Sequence, residues 1–426
     1  MSISDSQPFV PVILGGDIGT YSLAREFHEA YGITSVGVPA GGNGVIDNSV
    51  ALELRPAGSI LDEDRVVAHL LALGKELTND GANPRPLLLC GSLDLHVMLI
   101  TRRRAELEAY FTIPYVPLEM MEQAALKENF YALCTRLGIP HPFTVSYDPA
   151  TAPELLPADL PFPLIGKPSD SSTWITAKFA GKQKIHTINS RAELMDLLGK
   201  IQTSGYAEPY ILQELIPGGD SNMRLCTYFS SQDGTVQFAG YGEVVVEEHS
   251  PLVLGNSAAI VTAVDSEVIG HGRRLLEELG WTGFSMFDAK LDPRDGVIKF
   301  FELNPRLGRN HYYLTAAGAN AACFYVREYL GAEFDSTDLE PGIVRTDRHG
   351  VKVLAVEHLY TVLPHHLLRR FLDSEVGAKA AALLKAGKVS NPLRYSAEKH
   401  PKRKLFVLLN SVNHYRKYKA FPPRTP

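Results

Sequence analysis

The sequence predicts a mixed α/β (α+β) fold that begins with an open, mostly parallel sheet. Two observations lead to this prediction: strand-like apolar runs alternate with helical patterns near the N-terminus, and glycine turns separate them. The first run, Pro11–Leu14, ends at the turn Gly15–Gly19, and a helical pattern follows at once. The length of 426 residues further predicts two to four domains, at roughly 100–200 residues each.

The N-terminal elements follow a strand–turn–helix order, which is typical of sheets that bind ligands at their carboxyl edge. The turn reads GGDIG rather than GxGxxG, so we do not expect a dinucleotide site there. After the first strand the pattern predicts a helix at Tyr21–Tyr31, a strand at Thr34–Val38, a helix at Asp62–Leu77 and a strand at Pro86–Cys90.

A helix is predicted at Met120–Leu137, and a Pro/Ala-rich stretch at Asp148–Pro163 looks like a connector. Beyond this connector the pattern changes. The first part of the region predicts a strand at Leu164–Lys167, a strand pair around Trp174–Phe179 and Lys184–Thr187, a helix at Arg191–Lys200 and a strand at Tyr210–Leu215. The second part predicts strands at Met223–Phe229, Val236–Val246 and Ser257–Val261, a helix at Ser266–Leu279, a hairpin of Gly283–Leu291 with Gly296–Leu303, and a buried helix at Ala316–Leu330.

Composition places the chain among soluble globular proteins, with 45% hydrophobic and 21% charged residues. A net charge of −6 argues against a general nucleic-acid binder. The four cysteines show no CxxC spacing and lie in apolar runs, so we expect buried, reduced thiols rather than a metal or disulfide framework. No apolar run is long enough to span a membrane, and no basic segment precedes the first apolar stretch. We therefore expect a cytoplasmic protein.

The charge is unevenly distributed along the chain. From Asn391 to Pro426 there are nine Lys or Arg residues against a single acid, Glu398, so this tail carries +8 and the remaining residues carry −14. One interpretation is a solvated C-terminal helix that docks by its apolar side. The other is a surface that binds an anion, either a diphosphate group or an anionic membrane.

The segment Gly283–Asn310 carries the strongest chemical signal. Asp288 and Glu302 lie 14 residues apart on the two strands of the predicted hairpin, which would bring them near each other. Glu302 and Asn304 are two residues apart on one strand and so share a face. Carboxylate and amide oxygens suit Mg²⁺, and Arg306 follows at a position from which a guanidinium can hold a phosphate or an oxyanion. A solvated hairpin with scattered charges remains the alternative for Asp288 taken alone.

These motifs resemble the paired metal-binding strands of the ATP-grasp superfamily, in which an acidic residue precedes E-x-N-P-R by about fourteen residues. Here Asp288 precedes FELNPR at Phe301–Arg306. The resemblance implies an ATP-grasp fold with an N-terminal Rossmann-like pre-ATP-grasp domain and a C-terminal extension. The implied boundaries are 1–122 for the N-terminal domain, 123–208 and 209–335 for the small and large ATP-grasp subdomains, and 336–426 for the extension.

The same resemblance implies a site for ATP with two Mg²⁺ ions. Asp288, Glu302 and Asn304 would hold the ions. Lys127 in KENFY and Lys167 in PLIGKP would neutralise the phosphates. In QELIPGGD, the residues Gln213, Glu214 and Ile216 would read adenine, and Asp220 would bind the ribose. The chain departs from the family in the loop that covers the phosphates, which lacks glycine and offers the hydroxyls of Ser171 and Ser172 instead.

The implied reaction is that of a carboxylate–amine ligase, in which ATP activates a carboxylate as an acyl phosphate that an amine then attacks. Arg306 would stabilise the acyl phosphate and the oxyanion, and Arg224 and Arg309 would hold the substrate's own carboxylate. The pattern at Gly15–Gly32 is similar to the opening of bacterial D-aspartate ligases, which implies a D-aspartate-like amino acid and a peptidoglycan precursor as amine acceptor.

Two alternatives stay open: a dipeptide or natural-product peptide ligase of the same superfamily, and a non-catalytic ATP-binding module. The expected partners are therefore an amino acid and an amine acceptor, with no nucleic acid. Membrane contact would be at most peripheral, through the basic tail, and a homodimer is one further option.

Overall fold

The computed structural model describes residues 6–169, 171–174, 176–183, 185–251, 253–334, 342–343 and 345–423, apart from the side chains at 125, 171, 172 and 332. Two units divide the chain. Unit 1 comprises Met1–Gln123, Gly219–Ala289 and Leu303–Pro426, and unit 2 comprises Ala124–Gly218 and Lys290–Glu302.

Unit 1 begins with a four-stranded parallel sheet in the order β3-β2-β1-β4. Every residue of β1 and β4 is buried, as expected for parallel strands that are covered on both faces. The sequence prediction of an open parallel sheet is thereby confirmed. The strands are β1 Val10–Leu14, β2 Ser35–Val38, β3 Leu52–Leu54 and β4 Leu87–Gly91; the helices are α1 Ile18–Tyr31, α2 Glu63–Leu77, α3 Asp94–Arg102, α4 Arg104–Leu107 and α5 Leu118–Ala125.

Unit 2 is built on a four-stranded antiparallel sheet in the order β5-β8-β6-β7. Its elements are α6 Lys127–Leu137, β5 Thr144–Tyr147, β6 Leu164–Pro168, α7 Ser171–Trp174, β7 His186–Ile188, α8 Arg191–Gln202 and β8 Tyr210–Glu214, with a 3₁₀ turn at Pro153–Leu155. The predicted strand at Trp174–Phe179 is wrong, because Trp174 ends the short helix α7. Its ring packs edge-on against Tyr206 and Phe179 in the core of the unit.

A nine-stranded sheet follows, with the main order β13-β12-β9-β10-β11-β16-β17, and with β14 pairing β15 beside β10. The predicted hairpin is confirmed: β12 and β13 are joined by a turn in which the Gly296 N–H donates to the Asp292 carbonyl. The strands are β9 Met223–Ser230, β10 Val236–Glu248, β11 Asn256–Ala263, β12 Gly283–Leu291, β13 Ile298–Asn304, β14 Arg345–Thr346, β15 Lys352–Val353, β16 Leu359–Thr361 and β17 Val389–Ser390.

One large core fills unit 1. Side chains of the N-terminal sheet and α1, such as Ile13 and Phe27, belong to the same buried cluster as Phe229 and Phe284 of the large sheet and Phe324 of α11. The remaining helices are α9 Ser266–Leu279, α10 Tyr312–Ala316, α11 Ala321–Tyr329, α12 His365–Leu368, α13 Glu375–Lys385 and α14 Pro401–Ala420, with 3₁₀ turns at Asp220–Asn222, Ala332–Phe334 and Arg369–Phe371.

The basic tail is an integral part of unit 1. Helix α14 buries three polar or aromatic side chains, Arg403, His414 and Tyr418, and turns its leucines outward. The expectation that the helix docks by its apolar side is therefore wrong. Buried polar groups need partners, and the partners come from distant parts of the chain, such as the Val45 carbonyl that accepts from Arg403 at 2.9 Å.

All four cysteines are buried and free, as predicted. Within the described part of the chain, no helix combines the length and hydropathy that a membrane crossing requires.

Candidate active site

In unit 2, two lysines and a carboxylate form the centre of a charged cluster. Lys127, the first residue of α6, donates from Nζ to Glu302 Oε2 on β13 at 2.9 Å. Lys167 on β6 donates from Nζ to Gln213 Oε1 on β8 at 3.2 Å, because the two antiparallel strands lie side by side. Four residues predicted to serve ATP thus lie in one cluster, although they are up to 175 positions apart in the chain.

The charge state of Lys167 depends on its surroundings. Burial lowers the pKa of Lys167 to about 8, and the nearby positive charge of Lys127 acts in the same direction, while Glu302 opposes it. A lysine with a pKa close to the working pH is unusual away from functional sites. Burial disfavours the charged form of Lys167. A bound polyphosphate would offset this effect, because its negative charge stabilises the ammonium group.

The residues predicted to read adenine lie on or just beyond β8. Gln213 is buried and donates from Nε2 to the Thr144 hydroxyl on β5 at 3.1 Å. Ile216 is also buried, and its carbonyl accepts from Lys290 Nζ at 3.0 Å. These contacts fix the positions of the side chain of Gln213 and the backbone at Ile216.

Glu214 belongs to a network of charges in the same unit. Its carboxylate pairs with Arg294 and, at 3.4 Å, with Lys299. Both cations also pair with Asp292, whose side chain is fully buried, and the hydrogen bond from Arg294 holds the pKa of Asp292 well below its usual range. The network anchors the β12–β13 hairpin turn and already engages the Glu214 carboxylate.

Ser171 and Ser172 begin the one-turn helix α7. Their side chains lie outside the part of the chain that the structure describes. Their predicted role at the phosphates therefore remains a prediction.

In unit 1, the predicted metal ligands Asp288 and Asn304 are in direct contact. Asn304 Nδ2 donates to Asp288 Oδ2 at 2.9 Å, which joins the last residue of β13 to β12. Carboxylate and amide oxygens are donors that suit Mg²⁺. The third predicted ligand, Glu302, is the last residue of unit 2 and lies two residues before Asn304 on β13, with the buried Leu303 between them.

Among the described residues, no group of three or more His, Cys, Asp or Glu side chains is close enough to hold a metal ion. The predicted ligands are not a group of this kind, because one of the three, Asn304, is an amide.

Asp220 and Arg224 frame the start of β9, and both are engaged within unit 1. The carboxylate of Asp220 accepts from the Glu247 N–H at 2.9 Å and contacts His249 Nε2 at the same distance. Arg224 is buried and donates to the Ser221 and Met223 carbonyls. It faces Glu243 across the β9–β10 ladder, at 4.0 Å. A ligand would have to compete with these contacts at both residues.

The arginines that follow β13 reach the carboxyl edge of the N-terminal parallel sheet. Arg306 donates from Nη2 to Asp94 Oδ2 at 2.8 Å, and Asp94 begins the helix after β4. Arg309 Nε lies 3.2 Å from Asp17 Oδ2, and Asp17 caps the helix after β1. The edge of a parallel sheet is where such folds bind ligands, so these contacts join the predicted catalytic loop to that edge.

His311 and the two tyrosines after it have structural surroundings. Tyr312 and Tyr313 are buried and begin α10, as expected. His311 contacts Glu26 at 3.1 Å; burial would lower the pKa of His311, but the Glu26 carboxylate holds it above its ordinary value.

Sequence reasoning missed the two carboxylates that hold the arginines, Asp17 and Asp94. Both follow a strand and its turn and sit at or just before a helix N-terminus. This position was the available signal, because acidic residues there cap the helix and face the ligand edge.

No protein-family model matches the sequence. The chain is 29% identical over 428 residues to D-aspartate ligase of Enterococcus faecium (strain Aus0004), a match that covers 98% of each protein. It is also 30% identical over 206 residues to the carbamoyl phosphate synthase large chain of Deinococcus radiodurans, which covers 47% of this chain and 19% of that protein.

Solved structures agree on the fold. An L-amino acid ligase from Bacillus licheniformis matches with a TM-score of 0.53 and 15% identity, over 82% of each chain. A biotin carboxylase from Campylobacter jejuni matches with a TM-score of 0.54 and 11% identity, over 82% of this chain and 74% of that one. The predicted ATP-grasp fold is therefore confirmed.

Proposed function

We propose that this chain is an ATP-dependent ligase of the ATP-grasp superfamily and that it joins the carboxylate of a small amino acid to an amine through an acyl phosphate. In the first step a carboxylate oxygen attacks the γ-phosphorus of ATP, and ADP leaves. In the second step the amine attacks the acyl carbon, an amide bond forms, and phosphate leaves with the loss of one amine proton. The protein contributes positioning and charge stabilisation to both steps.

The observation that carries this proposal is the Asp288–Asn304 contact at 2.9 Å, followed two residues later by Arg306. Asp288, Asn304 and Glu302 would hold two Mg²⁺ ions. The metal would neutralise phosphate charge and polarise the phosphoryl oxygens. Arg306 would stabilise the charge that develops on the acyl phosphate and on the tetrahedral oxyanion, because its guanidinium is held by Asp94 beside the sheet edge.

Unit 2 would supply the phosphate and base contacts. Lys127 and Lys167 would neutralise the phosphates, with help from the hydroxyls of Ser171 and Ser172. The segment of Gln213, Glu214 and Ile216 would read adenine. In unit 1, Asp220 would accept from the ribose hydroxyls in competition with His249.

The amino acid would be D-aspartate or a close analogue, and the amine would belong to a peptidoglycan precursor. The supporting finding is the similarity to D-aspartate ligase along 98% of the chain. Arg224 and Arg309 would hold the carboxylate that is not activated. A cytoplasmic location, a homodimer and the four domain boundaries predicted above remain predictions.

Peripheral contact with an anionic membrane is a further part of the proposal. The outer face of α14 exposes Leu405, Leu408, Leu409 and Val412 between exposed cations that include Lys402 and Arg416, and α14 contains no acidic residue. Apolar side chains flanked by cations suit an anionic lipid surface. Two copies paired through this face would bring like charges together, so the same observation argues against a dimer formed there.

Vesicle sedimentation tests this contact. We expect binding to phosphatidylglycerol vesicles and none to phosphatidylcholine vesicles. Leu408→Asp should abolish binding, while Leu61→Asp, at a still more exposed leucine outside α14, should not. Equal binding by both variants would contradict the assignment.

Phosphate release tests the reaction. ATP and Mg²⁺ are supplied with each member of a panel of D- and L-amino acids, and with either a muropeptide nucleotide or a second amino acid as acceptor. We expect release with a D-acidic amino acid and the muropeptide nucleotide, and Glu302→Gln should abolish it. Turnover only with a second amino acid would assign a dipeptide ligase instead. Tight ATP binding without release for any acid would assign a non-catalytic module.

A further inference from the structure

A partly open cavity lies in unit 1 beneath the inner face of α14. It measures about 140 Å³, and its wall combines residues from the loop after β13, from β10 and β11 and from α14. The residues that matter here are Glu248, Ser257, Arg309, Asn310, His414 and Lys417. At about 30 Å³ per water, this cavity holds about five waters, which is the size of a small amino acid.

The charges in the wall are arranged for a ligand of mixed charge. Lys417 on α14 lies 3.4 Å from Glu248 at the end of β10, a separation longer than a close ion pair. Arg309 contributes a second cation to the wall, and it also pairs with Asp17 at 3.2 Å. The wall thus offers two cations and one carboxylate to a ligand with two carboxylates and one ammonium group, and a ligand carboxylate would compete with Asp17 for Arg309.

Two buried polar atoms in the wall have no partner among the described residues. His414 is 3% exposed, and its Nδ1 makes no hydrogen bond; the side-chain oxygen of Asn310 makes none either. Buried polar groups in native proteins are normally satisfied, by protein, water or ligand. Burial lowers the pKa of His414 to about 4, so the ring is neutral at pH 7. A neutral ring can face an ammonium or an amide without charge repulsion.

We propose that this cavity binds a small amino acid with an acidic side chain, and that α14 thereby sets the substrate specificity. Lys417 joins the arginines named above in binding the carboxylates of the ligand, Glu248 binds the ammonium group, and His414 with Asn310 completes the hydrogen bonds. The proposal rests on the function proposed above, since it locates the amino-acid substrate of that reaction.

The cavity is within reach of the proposed chemistry along the chain. Arg309 follows the predicted metal ligand Asn304 by five residues, a span of at most about 18 Å when fully extended. Arg306 lies between them. The loop 305–310 therefore connects the proposed metal site to the proposed amino-acid site within unit 1.

Calorimetric titration tests the assignment without turnover. D- and L-aspartate, D- and L-glutamate and alanine are titrated into the full-length protein, with and without Mg²⁺ and a non-hydrolysable ATP analogue. We expect an acidic amino acid to bind at least tenfold more tightly than alanine. Lys417→Met should weaken that binding at least tenfold, because it removes a charged hydrogen bond in a shielded site. Lys419→Met, an exposed cation on the same helix, is the matched control and should bind like the wild type.

A second variant guards against misfolding. His414→Phe fills the cavity with a ring of similar shape, and it should abolish amino-acid binding while the affinity for the ATP analogue stays unchanged. Absence of binding to any amino acid by the wild type, or equal binding by the Lys417 and Lys419 variants, would overturn the inference.

Kinetics distinguish failure of the inference from failure of the proposed function. Turnover with an unchanged KM for the amino acid in Lys417→Met would refute the site but leave the reaction intact. Amino-acid binding that depends on Lys417, without phosphate release, would refute the reaction but leave the site intact.

Discussion

Replacing Arg403 by methionine should selectively destabilise unit 1. The Arg403 side chain is 1% exposed and forms an ion pair at 3.0 Å with Glu398, which is 6% exposed. The guanidinium also donates to the Val45 carbonyl and lies 4.0 Å over the ring of Tyr21. Methionine keeps much of the side-chain volume of Arg403 but removes its charge. The buried carboxylate of Glu398 then loses its counter-ion.

The magnitude follows from these contacts. Removing one member of a buried ion pair costs about 3–5 kcal/mol. Nε and Nη2 of Arg403 make no hydrogen bond among the described residues, so the pair is imperfectly satisfied and the lower end applies, about 3 kcal/mol. At an m-value of about 3 kcal/mol/M, this loss moves the urea midpoint of unit 1 down by about 1 M.

The two tryptophans allow each unit to be observed separately. Trp281 is buried in unit 1 and Trp174 in unit 2, and the chain has no others. Urea unfolding followed by fluorescence in a Trp174→Phe background reports unit 1, and in a Trp281→Phe background it reports unit 2. Arg416→Met, at an exposed position of α14, is the control and should change the free energy of unfolding by less than about 0.5 kcal/mol. A unit 1 midpoint that moves no more in Arg403→Met than in this control would refute the reasoning.

Three further outcomes are expected. Because the pKa of Lys167 is about 8 in the free protein, the Kd for Mg-ATP should rise by up to tenfold per pH unit above that value as the lysine loses its proton. Lys167→Arg should remove this pH dependence. Fluorescent-nucleotide titration from pH 6.5 to 9.5 measures the Kd, and a flat wild-type profile would contradict the prediction. Asn304→Leu should raise the Mg²⁺ concentration for half-maximal phosphate release at least tenfold, and an unchanged value would remove Asn304 from the metal site. Asp292→Ala should lower the free energy of unfolding of unit 2 by about 2 kcal/mol in the Trp281→Phe background, because Lys299 loses its nearest partner, at 2.8 Å, and keeps Glu214 at 3.4 Å. Asp295→Ala, at a half-exposed carboxylate, is the control and should be nearly neutral.

The sequence was sufficient where local patterns decide the structure. The apolar run at Pro11–Leu14 and the glycine turn after it predicted a parallel strand that the structure extends by a single residue, to Val10–Leu14. The hairpin was equally predictable, because Asp292–Gly296 offers turn residues between two β-rich runs. The contact of Asp288 with Asn304 follows from that hairpin.

Long-range partners explain what the sequence did not reveal. The leucines of α14 suggested a buried stripe, yet the helix buries Arg403, His414 and Tyr418. Arg403 and Tyr418 find acceptors in distant segments, at the Val45 and Glu247 carbonyls. Trp174 likewise looked like a strand residue, but tertiary packing against Tyr206 overrides its β propensity.

The contacts between the two ends of unit 1 bear on how the chain matures during synthesis. Arg25 on α1 donates from Nη1 to the Pro392 carbonyl at 2.6 Å, and the hydroxyl of Tyr21 donates to Glu398. Translation delivers the N-terminal sheet first, more than 360 residues before these partners. Until the ribosome has released residues 391–403, Tyr21 lacks its Glu398 acceptor, and Arg25 has Glu29 of its own helix but not the Pro392 carbonyl. The first part of unit 1 to be synthesised is therefore among the last to be completed.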